Sequence, residues 1–361
     1  MLAVQALQEN LDGMKSISKN DYYIADSRGI VLAATGEAVF DSQGLRVFLD
    51  SQADSQVVGE YYYFKVHNEE YQPEYVLIVG GGTDPYMLGQ LAVFQLQNLL
   101  KASQERFDKD SFYKNLLLDN FLLVDVFNRA KKLHIEMKIR RVVFVVECGK
   151  SREAGALEQL RTVLQGKKGD FVTAVDENSM IVVRELEEQE TPQDIQRTAQ
   201  MILDYVCRDE NDGVRIAYGT IVKELQEVSR SYKEARLALD IGRIFLDDRR
   251  VMAYSSLGIG RLIYQLPIPL CKMFIREVFG EHTPEDLDEE TLLTINKFFE
   301  YNLNVSETSR QLFIHRNTLV YRLDKLQKTT GLDLRVFEDA ITFKIALMVV
   351  KYMKYMETIE Y

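Results

Sequence analysis

The first eighty residues alternate between apolar and polar positions in a way that predicts one helix and two pairs of strands. Apolar residues recur at helical spacing from Leu2 to about Ile17. The short β-prone runs that follow are separated by a glycine-containing turn and then by the polar segment 67–70; they are Tyr22–Asp26, Ile30–Ala34, Val57–Val66 and Tyr75–Val79. We therefore expect a small α+β domain over residues 1–84.

A stretch almost free of helix breakers follows, from Pro85 to about Leu118. Its apolar residues predict a long helix inside a helical linker of residues 85–136. Helices of this kind often pair between subunits, so a homodimer fits the pattern. Packing of the same positions within one chain fits the periodicity equally well, and both alternatives stay open.

Strand and helix signals alternate regularly over residues 137–255. In chain order the predicted elements are Val142–Val146, a helix Ala154–Leu164, a hairpin of Phe171–Val175 and Met180–Val183, a helix Asp194–Val206, a strand Val214–Tyr218 and a helix Glu224–Phe245. The order β-α-β-β-α-β is the split βαβ arrangement, which also forms the palm of nucleotidyl cyclases. Fold alone does not settle function.

Residues 256–361 are predicted to be helical, with four helices at Glu289–Tyr301, Ser306–Leu312, Arg316–Thr329 and Phe337–Met353. Asn304 and Glu307 have the spacing of a capping box, which would start the short second helix. The small residues Thr308 and Ser309 allow the third helix to cross closely. Apolar residues at spacings of four and three give that helix one buried stripe, namely Leu319, Leu323 and Leu326.

The composition is that of an ordinary globular protein: 361 residues, 46% hydrophobic and 27% charged, are enough for two or three domains. No apolar run approaches the ~18 residues that span a bilayer, and the N-terminus lacks the pattern of a secretory signal, so we expect a cytoplasmic protein without a membrane partner. The three cysteines and four histidines show no disulfide or metal-ligand spacing. We therefore expect no metal site, no cofactor and no catalytic residue.

The net charge of −11 argues against a nucleic-acid coat over the whole molecule, yet the charge is uneven. Between Val305 and Thr330 only Glu307 and Asp324 oppose five basic residues, which are Arg310, Arg316, Arg322, Lys325 and Lys328. The local excess of three positive charges is a modest footprint for phosphate groups.

The third predicted helix of this region has the parts of a major-groove recognition helix. Such helices enter the groove by their N-terminal residues, where arginine can address guanine and asparagine adenine, and the free backbone N–H groups there favour phosphate. The N-terminal turn carries His315; we assign base-edge contacts to Arg316, Asn317 and Tyr321, and phosphate contacts to Thr318, Arg322, Lys325 and Arg310. A helical hairpin with a solvated basic face is the alternative, and the charge pattern alone favours it.

A family resemblance reverses that preference. The stretch Phe313-Ile314-His315-Arg316-Asn317-Thr318-Leu319 with Tyr321-Arg322-Leu323, then Thr330-Gly331-Leu332-Asp333-Leu334 and Phe337-Glu338-Asp339, resembles the C-terminal domain of the sugar-diacid regulator and PucR-type regulator family. The resemblance extends over about Thr291 to Val350 and implies binding to double-stranded DNA. Gly331 agrees with it physically, because a helix end of this kind favours a left-handed residue.

The middle region is similar to the same family's degenerate relative of the diguanylate cyclase palm. Two segments carry the resemblance, Arg215-Ile216-Ala217-Tyr218-Gly219-Thr220 and Ser231-Tyr232-Lys233-Glu234-Ala235-Arg236-Leu237-Ala238. A working cyclase needs a glycine pair at the hairpin and carboxylates that hold magnesium, whereas this hairpin reads Asp176-Glu177-Asn178-Ser179. We therefore expect a structural domain that supports dimerisation rather than an enzyme, with an inert nucleotide-binding remnant as an alternative.

The N-terminal domain is expected to be a PAS- or GAF-like sensor by its pattern, and Asp26-Ser27-Arg28-Gly29-Ile30-Val31 resembles the family's diacid-recognition domain. If an organic acid binds there, the candidate partners of its carboxylate are Arg28, Arg46, Lys65 and His67. Each of these side chains has a solvated surface role as its simpler explanation.

These signals together predict an α+β multidomain chain: a PAS/GAF-like sensor, a long linker helix, a degenerate cyclase palm and an all-α helix-turn-helix domain. The expected function is a DNA-binding transcriptional regulator of catabolic genes that responds to a small metabolite, such as a sugar diacid or another organic acid. The alternatives are a nucleotide cyclase-like enzyme and a protein-interaction scaffold. A nucleotide-turnover assay separates the first alternative, and salt-sensitive duplex binding separates the second.

Overall fold

The computed structural model describes residues 4–37, 42–68, 71–148, 156–164, 169–207, 213–246, 248–280 and 288–359. The chain forms two compact units, one of residues 1–113 with 131–135 and one of residues 114–130 with 136–361. Within the described residues, no helix combines the length and the apolar character that crossing a membrane requires.

The first unit is built on a five-stranded antiparallel sheet with strand order β2-β1-β5-β4-β3. Its elements are α1 Val4–Ser18, β1 Asp21–Asp26, β2 Val31–Ala34, α2 Ser42–Asp50, β3 Ser55–Val58, β4 Tyr61–His67, β5 Pro73–Gly80 and the start of α3 Pro85–Leu117. The predicted first helix, first hairpin, last strand and long helix are all confirmed. The sheet is therefore assembled largely as the apolar pattern indicates.

Two predictions for this unit are wrong. Val57–Val66 is not one strand, because a turn at Gly59, with a left-handed φ of 62°, divides it into β3 and β4. Helix α2 was not predicted, since nine residues that include Gly44 give too short a periodic signal. The helix is nevertheless anchored, because Leu45 and Phe48 are buried.

Both faces of the central strand β5 are covered. Tyr75, Leu77 and Val79 belong to a core that also contains Leu7 and Leu11 of α1 and Ala92, Leu96 and Leu100 of α3. Val76 and Ile78 belong to a second core with Leu45 and Phe48 of α2. A strand buried on both faces needs apolar residues at every position, which explains why β5 reads as a continuous apolar run.

The second unit contains the end of α3 and a palm with the sheet order β10-β9-β6-β8-β7. The elements that follow α3 are α4 Leu123–Lys132, β6 Arg141–Glu147, α5 Ala156–Leu164, β7 Phe171–Thr173, β8 Ser179–Glu185, α6 Pro192–Val206, β9 Arg215–Tyr218, α7 Val228–Phe245 and β10 Val251–Ala253. The predicted β-α-β-β-α-β order is confirmed; residues 154 and 155 of the predicted helix lie outside the described residues. The predicted helix at Glu224 opens with a 3-10 turn, and β10 is an additional strand parallel to β9.

Strand β9 and helix α7 meet at Gly219 with almost no space between them. A Cβ atom added to Gly219 would lie 2.0 Å from the backbone oxygen of Ser231. The Ser231 hydroxyl donates to the Thr220 carbonyl (2.8 Å) and accepts from the Val143 N–H (3.1 Å), and the Thr220 N–H donates to Glu234 (2.7 Å). The two segments that carry the palm resemblance are thus joined by hydrogen bonds between their polar residues.

We expect Gly219→Ala to lower the free energy of unfolding by about 2 to 3 kcal/mol, because backbone atoms of Ser231 would have to move. Urea denaturation followed by circular dichroism measures this. Gly13→Ala is the matched control, since Gly13 lies in α1 with nothing within 4 Å of the added Cβ. An unchanged midpoint for Gly219→Ala would contradict the close contact.

The C-terminal part of the second unit is helical, as predicted. Its helices are α8 Gly260–Ile263, α9 Ile268–Phe279, α10 Glu289–Glu300, α11 Val305–Gln311, α12 Arg316–Thr330 and α13 Phe337–Ile359. Helix α13 packs against α9 and against α7 of the palm. One apolar core contains Ile244 of α7, Cys271 of α9, Leu323 of α12 and Phe343 of α13.

A polar cluster adds to the contact between α7 and α13. The Arg243 guanidinium of α7 lies 3.3 Å from the Tyr355 hydroxyl of α13, and it also contacts Asp240 and Glu147. Burial raises the pKa of Asp240, despite the opposing effect of Arg243. Burial also raises the pKa of Tyr264, which hydrogen-bonds Asp240, to about 12. The palm and the C-terminal helices are therefore joined by hydrogen bonds to tyrosine hydroxyls as well as by apolar packing.

Candidate nucleic-acid interface

Helix α11 begins where the sequence predicts, but with half of the predicted capping box. The Asn304 side-chain oxygen accepts from the Glu307 N–H at 3.1 Å. The Glu307 carboxylate accepts from Gln311 (3.0 Å) and Arg310 (2.7 Å) rather than from the backbone of Asn304, whose N–H donates to the Tyr301 carbonyl. These two side-chain hydrogen bonds hold the pKa of Glu307 below its ordinary value. The reciprocal half of the box is thus replaced by bonds within α11.

The turn between α11 and α12 is tight because small residues occupy the crossing. Thr308 and Ser309 are both buried, as predicted. The Ile314 N–H donates to the Ser309 carbonyl (3.0 Å), and the Phe313 N–H donates to the Arg310 carbonyl (3.2 Å). Leu312 and Ile314 pack partly against the apolar core, whereas Phe313 between them is 95% exposed and has a φ of 53°.

Helix α12 has both ends where the sequence predicts them, within one residue. His315 is its N-cap, and its Nδ1 atom accepts from the Asn317 N–H at 3.2 Å. Gly331 ends the helix in the left-handed conformation, with a φ of 77°. The predicted buried stripe of Leu319, Leu323 and Leu326 is confirmed. The rest of the helix is consequently turned away from the core.

The predicted DNA-binding side chains fall into two groups in the structure. Most are exposed at the N-cap and along the first three turns of α12, and these are His315, Arg316, Asn317, Thr318, Tyr321 and Lys325. Arg322 is instead directed at α10, where its guanidinium contacts Glu290 and donates to the Thr294 hydroxyl (3.0 Å). Arg310 is exposed, but its guanidinium is paired with Glu307.

The acidic residue of this helix is already neutralised. Asp324 lies 2.9 Å from the Arg335 guanidinium, which also pairs with Asp333 at 2.7 Å. In the described part of the chain, Arg316, Lys325 and Lys328 take part in no ion pair. The exposed surface of α12 therefore presents three cations that are not paired with a carboxylate of the described residues.

The aspartate of the palm hairpin is held by neighbouring side chains and backbone groups. Asp176 accepts hydrogen bonds from the Asn178 N–H (3.0 Å), the Ser179 N–H (2.7 Å) and the Ser179 hydroxyl (2.6 Å), and it pairs with Arg236 at 3.2 Å. Burial opposes ionisation of Asp176, yet these partners outweigh it and lower the pKa. Within the described ranges, no group of three or more His, Cys, Asp or Glu residues is arranged to hold a metal ion.

The four residues of the first unit that were predicted to bind an organic acid do not line one common site. Arg28 pairs with Asp26 (3.1 Å), Arg46 is exposed on α2, and the buried Lys65 donates to the Ser51 carbonyl and lies over the Phe48 ring. His67 lies 3.4 Å from Asp54 and is the one member of this set that lines a cavity of about 550 Å³.

That cavity contains basic residues that the sequence did not single out. It is formed by the end of β4, the turn after it and one side of α3, and its lining includes Tyr71, Phe94, Lys101 and Lys132. Lys101 lies on α3 and Lys132 at the end of α4, so only the fold places both side chains at the same cavity. The apolar pattern that predicts a helical linker does not indicate a cavity there.

Two family models match the chain. A PucR C-terminal helix-turn-helix domain matches residues 291–349, and a GGDEF-like domain matches residues 122–241. The first range contains α11 and α12 with the exposed face described above. The second contains the palm from α4 to α7 and begins before the expected boundary at residue 137.

The curated proteins that are similar to the chain include three regulators. The Carbohydrate diacid regulator of Escherichia coli is 26% identical over 60% of this chain and 59% of that protein. The Purine catabolism regulatory protein of Bacillus subtilis is 27% identical over 37% of this chain and 25% of that protein. The DNA-binding transcriptional activator AdeR of Bacillus subtilis is 28% identical over 46% and 40% of the two chains.

In none of these three comparisons does the chain span more than 59% of the relative's length. The chain thus contains a PucR C-terminal helix-turn-helix domain and a GGDEF-like domain, and over part of its length it is similar to the carbohydrate diacid and purine catabolism regulators.

Proposed function

We propose that the chain is a transcriptional regulator that binds double-stranded DNA through α11 and α12. The observation that carries the proposal is the first turn of α12, where Arg316, Asn317 and Thr318 are exposed beside backbone N–H groups at a helix N-terminus. The relatives support it, because their names describe regulators of carbohydrate diacid and purine metabolism and a DNA-binding activator. Control of catabolic genes is the corresponding role for this chain.

In this proposal the exposed residues contact different parts of the DNA. Arg316, Asn317 and Tyr321 contact base edges, and Thr318, Lys325 and Arg310 contact phosphates. His315 caps α12 and so fixes the direction from which its neighbours enter the groove. Arg322 reaches a phosphate only after release from Glu290, so its present contacts favour a role in holding α10 against α12.

Arg316→Ala should weaken binding to the duplex upstream of the protein's own gene by about 10- to 100-fold, the range for one good arginine–guanine contact. Titration of a labelled duplex at two salt concentrations measures this and identifies the kind of contact that is lost, because loss of a phosphate contact flattens the salt dependence whereas loss of a base contact relaxes the sequence preference. Arg197→Ala removes another exposed arginine, from the palm helix α6, and should bind as the wild type does. Equal affinities of both variants and the wild type, or no preference over random duplex, would count against the proposal.

The palm serves assembly rather than catalysis in this proposal. The hairpin has no glycine pair, and its Asp176 is occupied by Ser179 and Arg236 instead of facing an open site. The nucleotide cyclase alternative predicts turnover by the purified protein with magnesium, whereas we expect none. The scaffold alternative predicts no salt-sensitive binding to the duplex.

Residues 1–84 form the sensor in this proposal, the linker is 85–136, the palm 137–255 and the DNA-binding region 256–361. A five-stranded antiparallel sheet with helices packed on both faces supports a PAS- or GAF-like sensor. The cavity beside His67, Lys101 and Lys132 is the place for an organic-acid effector, because cations there can pair with a carboxylate. Exposed Met87, Leu91 and Phe94, spaced by four and three residues on α3, are suited to pairing in a homodimer.

Effector binding would then act by shifting a population between dimers that can and cannot engage DNA. For this the effector must bind one state more tightly than the other, since equal affinity shifts nothing.

A further inference from the structure

The turn between α11 and α12 holds the side chain of Phe313 in an exposed and conformationally unfavourable position. Phe313 is 95% exposed, the largest exposed fraction among the large hydrophobic residues that the structure describes. Its φ of 53° lies in the left-handed region, which is unfavourable for a residue with a bulky side chain. Both features cost free energy, and outliers of this kind concentrate at functional sites.

The fold itself does not require a phenyl ring here. The turn is held by two backbone hydrogen bonds, from Phe313 to Arg310 (3.2 Å) and from Ile314 to Ser309 (3.0 Å). Neighbouring Leu312 and Ile314 supply the packing against the core, and the ring of Phe313 is not part of that core. Asparagine or glycine would satisfy the backbone with less strain.

The surroundings of the ring indicate what covers it. Arg310 and Arg316 lie three residues away on either side, and both are exposed cations. Phe313 lies two residues before His315, the N-cap of α12, so the exposed ring is close in the chain to the exposed residues Arg316 and Asn317. An apolar ring between cations fits a polyanion that carries apolar groups, and a DNA duplex offers one in its major groove, the thymine C5-methyl.

We propose that Phe313 is a specificity residue that contacts a thymine methyl group at the edge of the α12 binding site. The proposal rests on the proposed function, since it requires that α12 enter the major groove. The contact of Phe313 would add a preference for thymine over cytosine at one base pair. No hydrogen bond from a polar residue of α12 is required for that preference. It also gives the exposed ring and the left-handed backbone a common reason.

The test pairs a protein variant with a DNA variant. Phe313→Asn removes the ring while keeping a residue that tolerates the left-handed conformation, and uracil in place of thymine removes only the methyl group. The wild-type protein should lose about fourfold in affinity when one particular thymine is replaced, the factor expected for one buried methyl group. Phe313→Asn should bind the thymine duplex about fourfold more weakly and should show no further loss with uracil. Its melting temperature should not fall.

Tyr205→Asn is the control for loss of an exposed aromatic residue, because Tyr205 lies on α6 of the palm. Additive losses from Phe313→Asn and uracil, or wild-type affinity of Phe313→Asn, would overturn the methyl contact while leaving the proposed function intact if Arg316→Ala still binds about 10- to 100-fold more weakly. A lower melting temperature, or loss of self-association in Phe313→Asn, would assign the ring to folding or to a second copy instead. Absence of duplex preference in the wild type would overturn both proposals.

Discussion

Glu185→Ala should lower the free energy of unfolding by about 3 kcal/mol or more, because it leaves a buried guanidinium without its carboxylate. The Arg141 side chain is fully buried in the palm, and its Nε lies 3.1 Å from Glu185 Oε1 on the neighbouring strand. The Arg141 Nη2 atom also donates to the Glu136 carbonyl at 2.7 Å, whereas Nη1 already lacks a hydrogen-bond partner among the described residues. Little remains to compensate the charge once Glu185 is removed.

Urea denaturation of the purified protein measures this loss. Glu187→Ala, an exposed carboxylate two residues away, should change the midpoint by much less. The double variant Arg141→Met with Glu185→Leu should recover most of the stability, because replacing both partners removes the desolvation cost as well as the attraction. If Glu185→Ala and Glu187→Ala were equally stable, the pair would not have the energetic weight that its burial indicates.

Leu323→Ala should have an effect of similar size on the C-terminal helical region. Leu323 is 2% exposed in the core that α12 shares with α9 and α13, and truncating such a leucine costs about 3 kcal/mol, partly through the cavity that it leaves. Because the same stripe sets the angle at which α12 leaves the core, we also expect duplex binding to fall at temperatures where the variant is still folded.

Calorimetry measures the loss of stability. Duplex titration at about 10 °C below each variant's own melting temperature measures the loss of binding by the folded protein. Arg316→Ala provides the opposite behaviour on the same helix, namely normal stability with weak binding. A Leu323→Ala protein with unchanged stability would mean that the core around α12 collapses onto the vacated space.

Much of the fold follows from local pattern. The continuous apolar run of β6 marks a strand buried on both faces, and β6 is flanked in the sheet by β8 and β9. Asn304 and Gly331 mark the start of α11 and the end of α12, because a side-chain acceptor and a left-handed residue are each needed at those positions. These features depend on residues close together in sequence, and for that reason they could be predicted.

The features that could not be predicted depend on contacts between distant residues. Arg322 has the same local signal as Arg316, yet Glu290 and Thr294 of α10 occupy its guanidinium. Lys65 resembles a surface cation in sequence, but Phe48 of α2 covers it. The exposure of Phe313 could not be predicted either, because Phe313 stands in the apolar run Leu312-Phe313-Ile314. Tertiary neighbours, rather than propensity, decide each of these outcomes.

The core shared by α7 and the C-terminal helices has a consequence for dissection of the protein. Ile244 of α7 is buried among residues of α9, α12 and α13, and Arg243 beside it contacts Tyr355. A fragment cut at the predicted boundary after residue 255 would leave that apolar surface open to water. We therefore expect that the C-terminal helices do not fold as a separate fragment, because α7 of the palm completes their apolar core.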